Sequence, residues 1–389
     1  MSPPPGADAG RRRPDAFPLP LCIAVPVGVD PEAARALLAA LPASHGVILL
    51  EAEGGEPVQL AATADLRAFA VQRLVEREGP RADLLEVTRA VRACPCGSAI
   101  EADLLLLELA RERRPETARE IAERTQPWFL AIDPGAEHPV WRLTDLADPG
   151  EIGPGDRVLG PFPTRNAATD FHKSLDELFE LCRFPRELKR TPGGQPCAYR
   201  EMGRCPAACA GGEPLEAYRA RAAEAAGCLG AARQTLAATI RGEMERATRA
   251  LDFERAMLHR DRLGELDKLA KPRVAGVTDC RRLAGVLVAP SERRGFLRIT
   301  LLSGGRATPF ADVRRDSDDL GPLLEAAAGR LAVSTDPDLR KVREQAAALL
   351  RWTSSTKSHP ALLAWTDPDR ESSAEFVGRC LARLNEQKA

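Results

Sequence analysis

Tyrosine is almost absent from this chain of 389 residues, which has only Tyr199 and Tyr218. No site that lies before residue 199 can therefore use a tyrosine. The chain also has no excess of positive or negative charge, because it contains 55 Lys and Arg residues and 56 Asp and Glu residues. Balanced charge imposes no nucleic-acid or membrane partner on the whole chain, so any basic surface must be local. No apolar run reaches the roughly 18 residues that a membrane span needs, and we expect no membrane partner.

Cysteine is present at a moderate level, ten residues in all. That density is too low for a secreted scaffold held together by disulfides. The first 20 residues, "MSPPPGADAGRRRPDAFPLP", are rich in proline and polar, which predicts a disordered leader rather than a signal peptide. Without an export signal, the cysteines favour a thiol or metal site in a cytoplasmic protein.

Four of the cysteines form a motif with the spacing C-x14-C-x7-C-x3-C, and they are Cys182, Cys197, Cys205 and Cys209. Four thiolates suit zinc or an iron–sulfur cluster, because soft sulfur ligands select these metals. The long gaps differ from the two C-x2-C pairs of a zinc ribbon. We interpret the motif as a structural metal site, and the alternative is a set of unrelated buried thiols.

The same stretch is locally basic. Between Cys182 and Cys209 the only acidic residues are Glu187 and Glu201, against six basic ones, Arg183, Arg186, Lys189, Arg190, Arg200 and Arg204. A local excess of positive charge predicts contact with DNA phosphates. A solvated loop that offsets the charge of the thiolates is the alternative.

Periodicity in the first part of the chain predicts a compact α+β domain over residues 21–115. It indicates a hairpin at 46–62 and a helix at 64–78. A strand at 84–93 and a helix at 98–115 follow. The order is therefore β-β-α-β-α. Residues 116–235 then form a connector, in which Thr164 caps a helix that leads to Cys182.

A helical hairpin is predicted for residues 236–270. One apolar stripe comprises Leu236, Ile240, Met244, Ala247 and Leu251, and the dipeptide "DF" separates it from a second helix. Two short helices cannot bury both of their apolar stripes alone, so we expect the hairpin to dock onto something else. Residues 271–389 follow, with two strands between 283 and 302 and a helical tail.

The stretches "GPFPTRNAATDFHKSLDELFELC…QPCAYREMGRCPAACAG" and "LDFERAMLHRDRL" resemble the UvrC family, the excinuclease subunit of bacterial nucleotide excision repair. The resemblance runs from about residue 45 to about residue 310. It implies an α+β multidomain protein with a GIY-YIG-like domain, a cysteine-rich helical connector, a UVR helical hairpin and a truncated RNase H-like region. It also implies an iron–sulfur cluster on the four cysteines, with zinc as the alternative.

The implied partners are DNA and a UvrB-like protein, which the UVR motif contacts in this family. Carried onto this sequence, the motif assigns the contact to Phe253, Glu254, Arg255, Arg260 and Asp261. The six basic residues around the cysteines are the candidates for contact with DNA.

The GIY-YIG nuclease site departs from the family pattern. That site uses two tyrosines, an arginine and a metal-binding glutamate to hydrolyse a phosphodiester. Here Ile48 and Gln59 stand where the tyrosines are expected, and Phe69 stands at the arginine position, with Arg67 and Arg73 nearby.

Glu101 alone matches the family's catalytic residues, and a surface charge is the alternative interpretation for it. We therefore expect a repair protein that has lost its nuclease chemistry. The first alternative is an active short endonuclease that makes a single incision and needs Mg²⁺. The second is a metal-stabilised interaction protein without a role in repair.

Overall fold

The computed structural model describes residues 19–76, 83–271, 274, 276–331, 337–353, 362–365 and 372–386. The predicted leader falls outside these ranges except for residues 19 and 20. The chain divides into two compact units, with the boundary between Pro115 and Glu116. No helix among the described residues combines the length and the hydrophobicity needed to cross a membrane.

A four-stranded antiparallel sheet with the order β1-β4-β2-β3 forms the centre of the first unit. Its strands are β1 (Leu21–Ala24), β2 (Gly46–Glu51), β3 (Pro57–Thr63) and β4 (Ala90–Pro95). The predicted hairpin is confirmed, because β2 pairs with β3 from Gly46 opposite Thr63 onwards. Every residue of β2 is buried, since helices cover both faces of this central strand.

The helices of the first unit follow the prediction in part. They are α1 (Pro31–Leu38), α2 (Leu66–Leu74), α3 (Leu84–Val87) and α4 (Ala99–Arg113). The strand predicted at 84–93 is wrong in its first half, where the Asp83 carboxylate accepts a hydrogen bond from Leu85 N–H and starts α3 instead. From β2 to α4 the order is β-β-α-α-β-α, so the predicted β-β-α-β-α order is interrupted by the additional α3, and β1 and α1 precede it.

The second unit opens with helix α5 (Pro115–Thr125) and a second antiparallel sheet with the order β6-β5-β7-β8. Its strands are β5 (Trp128–Ile132), β6 (Arg142–Thr144), β7 (Arg157–Phe162) and β8 (Thr278–Asp279). Helix α6 (Arg165–Leu178) packs on one face through Phe171 and Leu175. Thr164 caps this helix as predicted, accepting a hydrogen bond from Ala167 N–H.

Three helices follow the cysteine loop, and two of them form the predicted hairpin. They are α9 (Leu215–Ala226), α10 (Gly230–Arg249) and α11 (Phe253–Lys268). Asp252 caps α11 by accepting a hydrogen bond from Arg255 N–H, which explains why "DF" interrupts the helical pattern. The open end of the hairpin docks onto the core of its own unit through Ile240, Leu266 and Leu269.

A third antiparallel sheet, with the order β11-β10-β9-β12, lies in the last part of the chain. It consists of β9 (Ala284–Pro290), β10 (Phe296–Ser303), β11 (Arg306–Arg314) and β12 (Leu362–Trp365). Helices α12 (Leu320–Arg330) and α14 (Ser373–Glu386) share its core. The predicted strands at 283–302 and the helical tail are confirmed, whereas β11 and β12 were not expected.

Helix α13 (Leu339–Thr353) packs on a different sheet from its neighbours in sequence. Its residues Leu339, Val342 and Ala346 lie against the face of the β5–β7 sheet that α6 leaves open, in a core that includes Phe129. Arg343 fixes the helix there by donating a 2.9 Å hydrogen bond to Asp145 O. The sheet of the connector is therefore covered on both faces.

Candidate functional site

All four cysteines of the motif line one small cavity in the second unit. Cys182 follows α6, and Cys197 starts the short helix α8 (Ala198–Glu201). Cys205 lies in the next turn, and Cys209 lies in a 3-10 turn at residues 208–210. A short helix, α7 (Pro185–Leu188), fills the long gap after Cys182. The folded loop therefore brings together thiols that are up to 27 positions apart in the sequence (209 minus 182).

Glycines allow the loop to fold this tightly. Gly203 and Gly211 have φ angles of +67° and +72°, in the left-handed region that favours glycine. At Gly194 a Cβ atom would lie 2.6 Å from Glu187 O and 2.9 Å from Cys209 O, so a side chain is excluded there. Gly194 N–H donates a 2.9 Å hydrogen bond to Cys209 O and ties the two halves of the loop together.

The cavity is a poor environment for free thiolates. Burial raises the pKa of Cys182 to about 11, and the other three cysteines add to the shift. Burial also raises the pKa values of Cys205 and Cys209, again with contributions from neighbouring thiols. Sulfur ligands in such a site lose their protons when a metal cation compensates the negative charge.

Both tyrosines of the chain support this loop, which the sequence interpretation did not anticipate. The Tyr218 hydroxyl donates a 3.1 Å hydrogen bond to Pro139 O and accepts one from Cys182 N–H at 3.4 Å. The guanidinium carbon of Arg183 lies 4.0 Å from the centroid of the Tyr199 ring.

Several of the six predicted DNA contacts are held within the loop. Arg183 pairs with Glu177, and Arg204 approaches the same carboxylate at 2.6 Å. Arg200 donates a hydrogen bond to Pro206 O at 3.2 Å.

The other three of these cations lie on α7 or directly after it. Arg190 lies 3.4 Å from Glu187, and its side chain is largely exposed. Arg186 and Lys189 are exposed as well. This part of the loop therefore keeps positive charge at the surface.

In the first unit, the two positions where the nuclease motif expects tyrosine carry a core residue and a half-buried strand residue. Ile48 is fully buried in the core between the sheet and helices α1 and α2. Gln59 lies half-buried on β3, and its Oε1 atom has no hydrogen-bond partner among the described residues. Gly46, the glycine of the first motif, is required sterically, because a Cβ atom there would lie 2.5 Å from Cys94 O.

The remaining positions of that motif also have local roles. Arg67 donates a 2.7 Å hydrogen bond to Leu41 O, and Arg73 lies over the ring of Phe69 at 5.4 Å. Glu101 closes the start of α4, where its Oε2 atom accepts a 2.9 Å hydrogen bond from Gly97 N–H. Ser98 Oγ accepts in turn from Glu101 N–H, in the pattern of a capping box.

The tip of the α10–α11 hairpin exposes a cluster of large apolar side chains. The exposed fractions are 72% for Leu251, 66% for Phe253, 53% for Met257 and 57% for Leu258. The predicted contact residues Glu254, Arg255, Arg260 and Asp261 are exposed beside them. The sequence analysis missed Met257 and Leu258, because an exposed and a buried apolar residue look alike in a helical pattern.

Comparison with known families places two segments of the chain. The model described as "UvrC/Cho excinuclease, middle domain" matches residues 129–227, and the "UvrB/uvrC motif" matches residues 234–269. Over these two segments the chain is similar to the UvrC family. The first match contains the whole cysteine loop, and the second contains the exposed tip of the hairpin.

Curated proteins similar to this chain are named "UvrABC system protein C". The protein of Nitratidesulfovibrio vulgaris is 28% identical over 242 residues, which cover 61% of this chain and 34% of the relative. That of Rhodospirillum rubrum is 24% identical over 340 residues, which cover 86% of this chain and 51% of the relative. That of Haloarcula marismortui is 31% identical over 254 residues, which cover 62% of this chain and 41% of the relative. The chain thus spans between a third and about half of the length of these relatives. No solved structure matches it.

Proposed function

We propose that this UvrC-like protein acts in nucleotide excision repair as an accessory factor, binding a UvrB-like protein and DNA without cutting the DNA. The observation that carries the proposal is the contrast along the α10–α11 hairpin. Its open end is buried through Ile240 and Leu266, whereas its tip exposes Phe253 and its apolar neighbours. Exposed apolar clusters of this kind mark protein interaction sites.

Phe253 is the residue whose removal tests the docking surface. In the Phe253→Ala variant we expect the affinity for the UvrB-like protein of the same organism to fall by about 2 kcal/mol, since an aromatic side chain at the centre of an interface is a typical hot spot. Isothermal titration calorimetry measures this change. Glu224→Ala, at an exposed position of α9 outside the hairpin, serves as the control. An unchanged affinity of the Phe253→Ala variant would refute the docking assignment.

The four cysteines are proposed to hold an iron–sulfur cluster, with Cys182, Cys197, Cys205 and Cys209 as its ligands. The donor set fits, because four soft sulfur atoms line one cavity. Among the described residues no three or more His, Cys, Asp or Glu side chains are grouped as around one metal ion. Metal analysis and visible absorbance after anaerobic purification distinguish the cluster from zinc. Bound there, the cluster would supply covalent links that fix the loop.

The absence of cutting is proposed from the roles of the nuclease positions. Ile48 belongs to the core, and Glu101 is used to cap α4. The test is a nicking assay on damaged plasmid DNA with Mg²⁺ or Mn²⁺, alone and with the UvrB-like protein. We expect wild type and Glu101→Ala to give the same background. Incision by the wild type that Glu101→Ala abolishes would instead establish the single-incision endonuclease.

A further inference from the structure

An exposed apolar patch borders the cysteine cavity, outside the hairpin tip. We define the rim patch as Phe184, Tyr199 and Met202. Phe184 is 46% exposed and Met202 is 57% exposed. The rings of Phe184 and Tyr199 lie with their centroids 6.4 Å apart, and both residues line the cavity. Large apolar side chains that are exposed together at the surface indicate a site for an interaction partner or ligand.

The rim patch is held in place from below. The guanidinium carbon of Arg183 lies 4.0 Å from the centroid of the Tyr199 ring, and Glu177 pairs with the same guanidinium. Phe184 stands at the start of α7, whose Leu188 is fully buried. The aromatic surface therefore rests on an ion pair on one side and on the core on the other.

Positive charge surrounds the rim patch. Arg186 and Lys189 follow Phe184 along α7 and its C-terminal end, and Arg200 follows Tyr199 on α8. All three are exposed. Exposed aromatic rings among cations are the combination with which proteins bind unpaired nucleic acid, because bases stack on the rings and phosphates meet the cations.

We propose that the rim patch receives an unstacked base of DNA, with Phe184 as the stacking residue and Arg186, Lys189 and Arg200 on the adjacent phosphates. This inference rests on the proposed contact with DNA and adds the form of DNA that is recognised. A base-paired duplex offers phosphates but no free ring face. The patch therefore favours DNA that is locally unpaired, as at a distorted site.

The experiment compares two fluorescent 30-base-pair duplexes that differ only in a central bubble of three mismatched pairs. Binding of the full chain, purified anaerobically, is followed by anisotropy. We expect wild type to prefer the bubble and Phe184→Ala to lower its affinity for the bubble about fivefold or more, the equivalent of one lost base–aromatic stack. Affinity for the paired duplex should stay within twofold. Phe184→Trp should retain the preference.

Two further variants separate stacking from charge and from general effects. Arg186→Ala should weaken binding to both duplexes and reduce the slope of log affinity against log salt by about 1. Val87→Ala removes an apolar side chain with the same 46% exposure in the first unit and should change nothing.

The outcomes distinguish the inference from the function on which it rests. If wild type binds neither duplex, the proposed DNA contact fails and the inference fails with it. If it binds both and Phe184→Ala leaves their ratio unchanged, the stacking role alone is refuted. Loss of affinity for the UvrB-like protein in Phe184→Ala, with DNA binding intact, would also overturn the proposal.

Discussion

The cysteine loop of the second unit and the sheet of the first unit use their motif positions in opposite ways. In the loop, four cysteines line the same cavity, and both tyrosines of the chain hold the surrounding backbone or side chains. In the first unit, Ile48 is part of the core and Glu101 caps a helix. One region gathers four thiols in one cavity, whereas the other buries or hydrogen-bonds the residues at its motif positions.

Loss of a cysteine should give the largest effect if this contrast is correct. For Cys209→Ser we expect the bound metal to fall to background and the free energy of unfolding to drop by about 3 kcal/mol or more, since structural metal–thiolate bonds contribute strongly to folding. Metal analysis, visible absorbance and chemical denaturation after anaerobic purification measure both changes. Cys228→Ala is the matched control, a cysteine buried in the same core but outside the cavity. Equal metal loss in both variants would contradict the assignment.

Tyr218→Phe tests the second layer of the loop. The variant keeps the ring but removes the hydroxyl that bonds to Pro139 O and Cys182 N–H. We expect the free energy of unfolding to fall by about 1–2 kcal/mol, the usual effect of unpairing buried polar groups, together with faster release of the metal to a chelator. Tyr199→Phe retains the ring that stacks on Arg183 and should leave stability within about 0.5 kcal/mol of wild type. Equal effects of the two changes would show that the hydroxyl of Tyr218 has no special role.

Glu101→Ala should have the smallest effect on stability, and it tests whether this motif position of the first unit serves to stabilise a helix. Loss of the capping box at α4 predicts a decrease of about 1 kcal/mol in the stability of this unit. Thermal unfolding measures it, and Glu112→Ala, an exposed glutamate in the last turn of the same helix, is the control. A Glu101→Ala variant as stable as wild type would show that the Glu101 carboxylate does not stabilise helix α4.

The sequence predicted the features that depend on local pattern. Helix α6 was identified from its apolar stripe and its Thr164 cap, and the hairpin from apolar stripes interrupted at "DF". Spacing alone suggested that the four cysteines belong together. These signals are local because caps, stripes and ligand spacing act within a few turns of the chain.

Features that depend on distant partners were missed. Strand β7 lies in a segment rich in glycine and proline, "GPGDRVLGPF", whose sequence indicates turns, and pairing with β5 makes it a strand. The role of Tyr218 requires a neighbour 79 positions away, Pro139. Strand β12 pairs with β9 only because the chain returns after two helices. Periodicity carries no information about such long-range pairs.

The position of α13 also limits how this protein can be divided. The family match to the middle domain ends at residue 227, yet residues 339–346 cover the second face of its sheet at Phe129 and Ala131. A fragment that stops after the hairpin would expose this face to water and, with it, a surface prone to aggregate. The segment that matches the family is therefore not a self-sufficient module. Expression experiments and domain exchanges must carry α13 along with the cysteine loop.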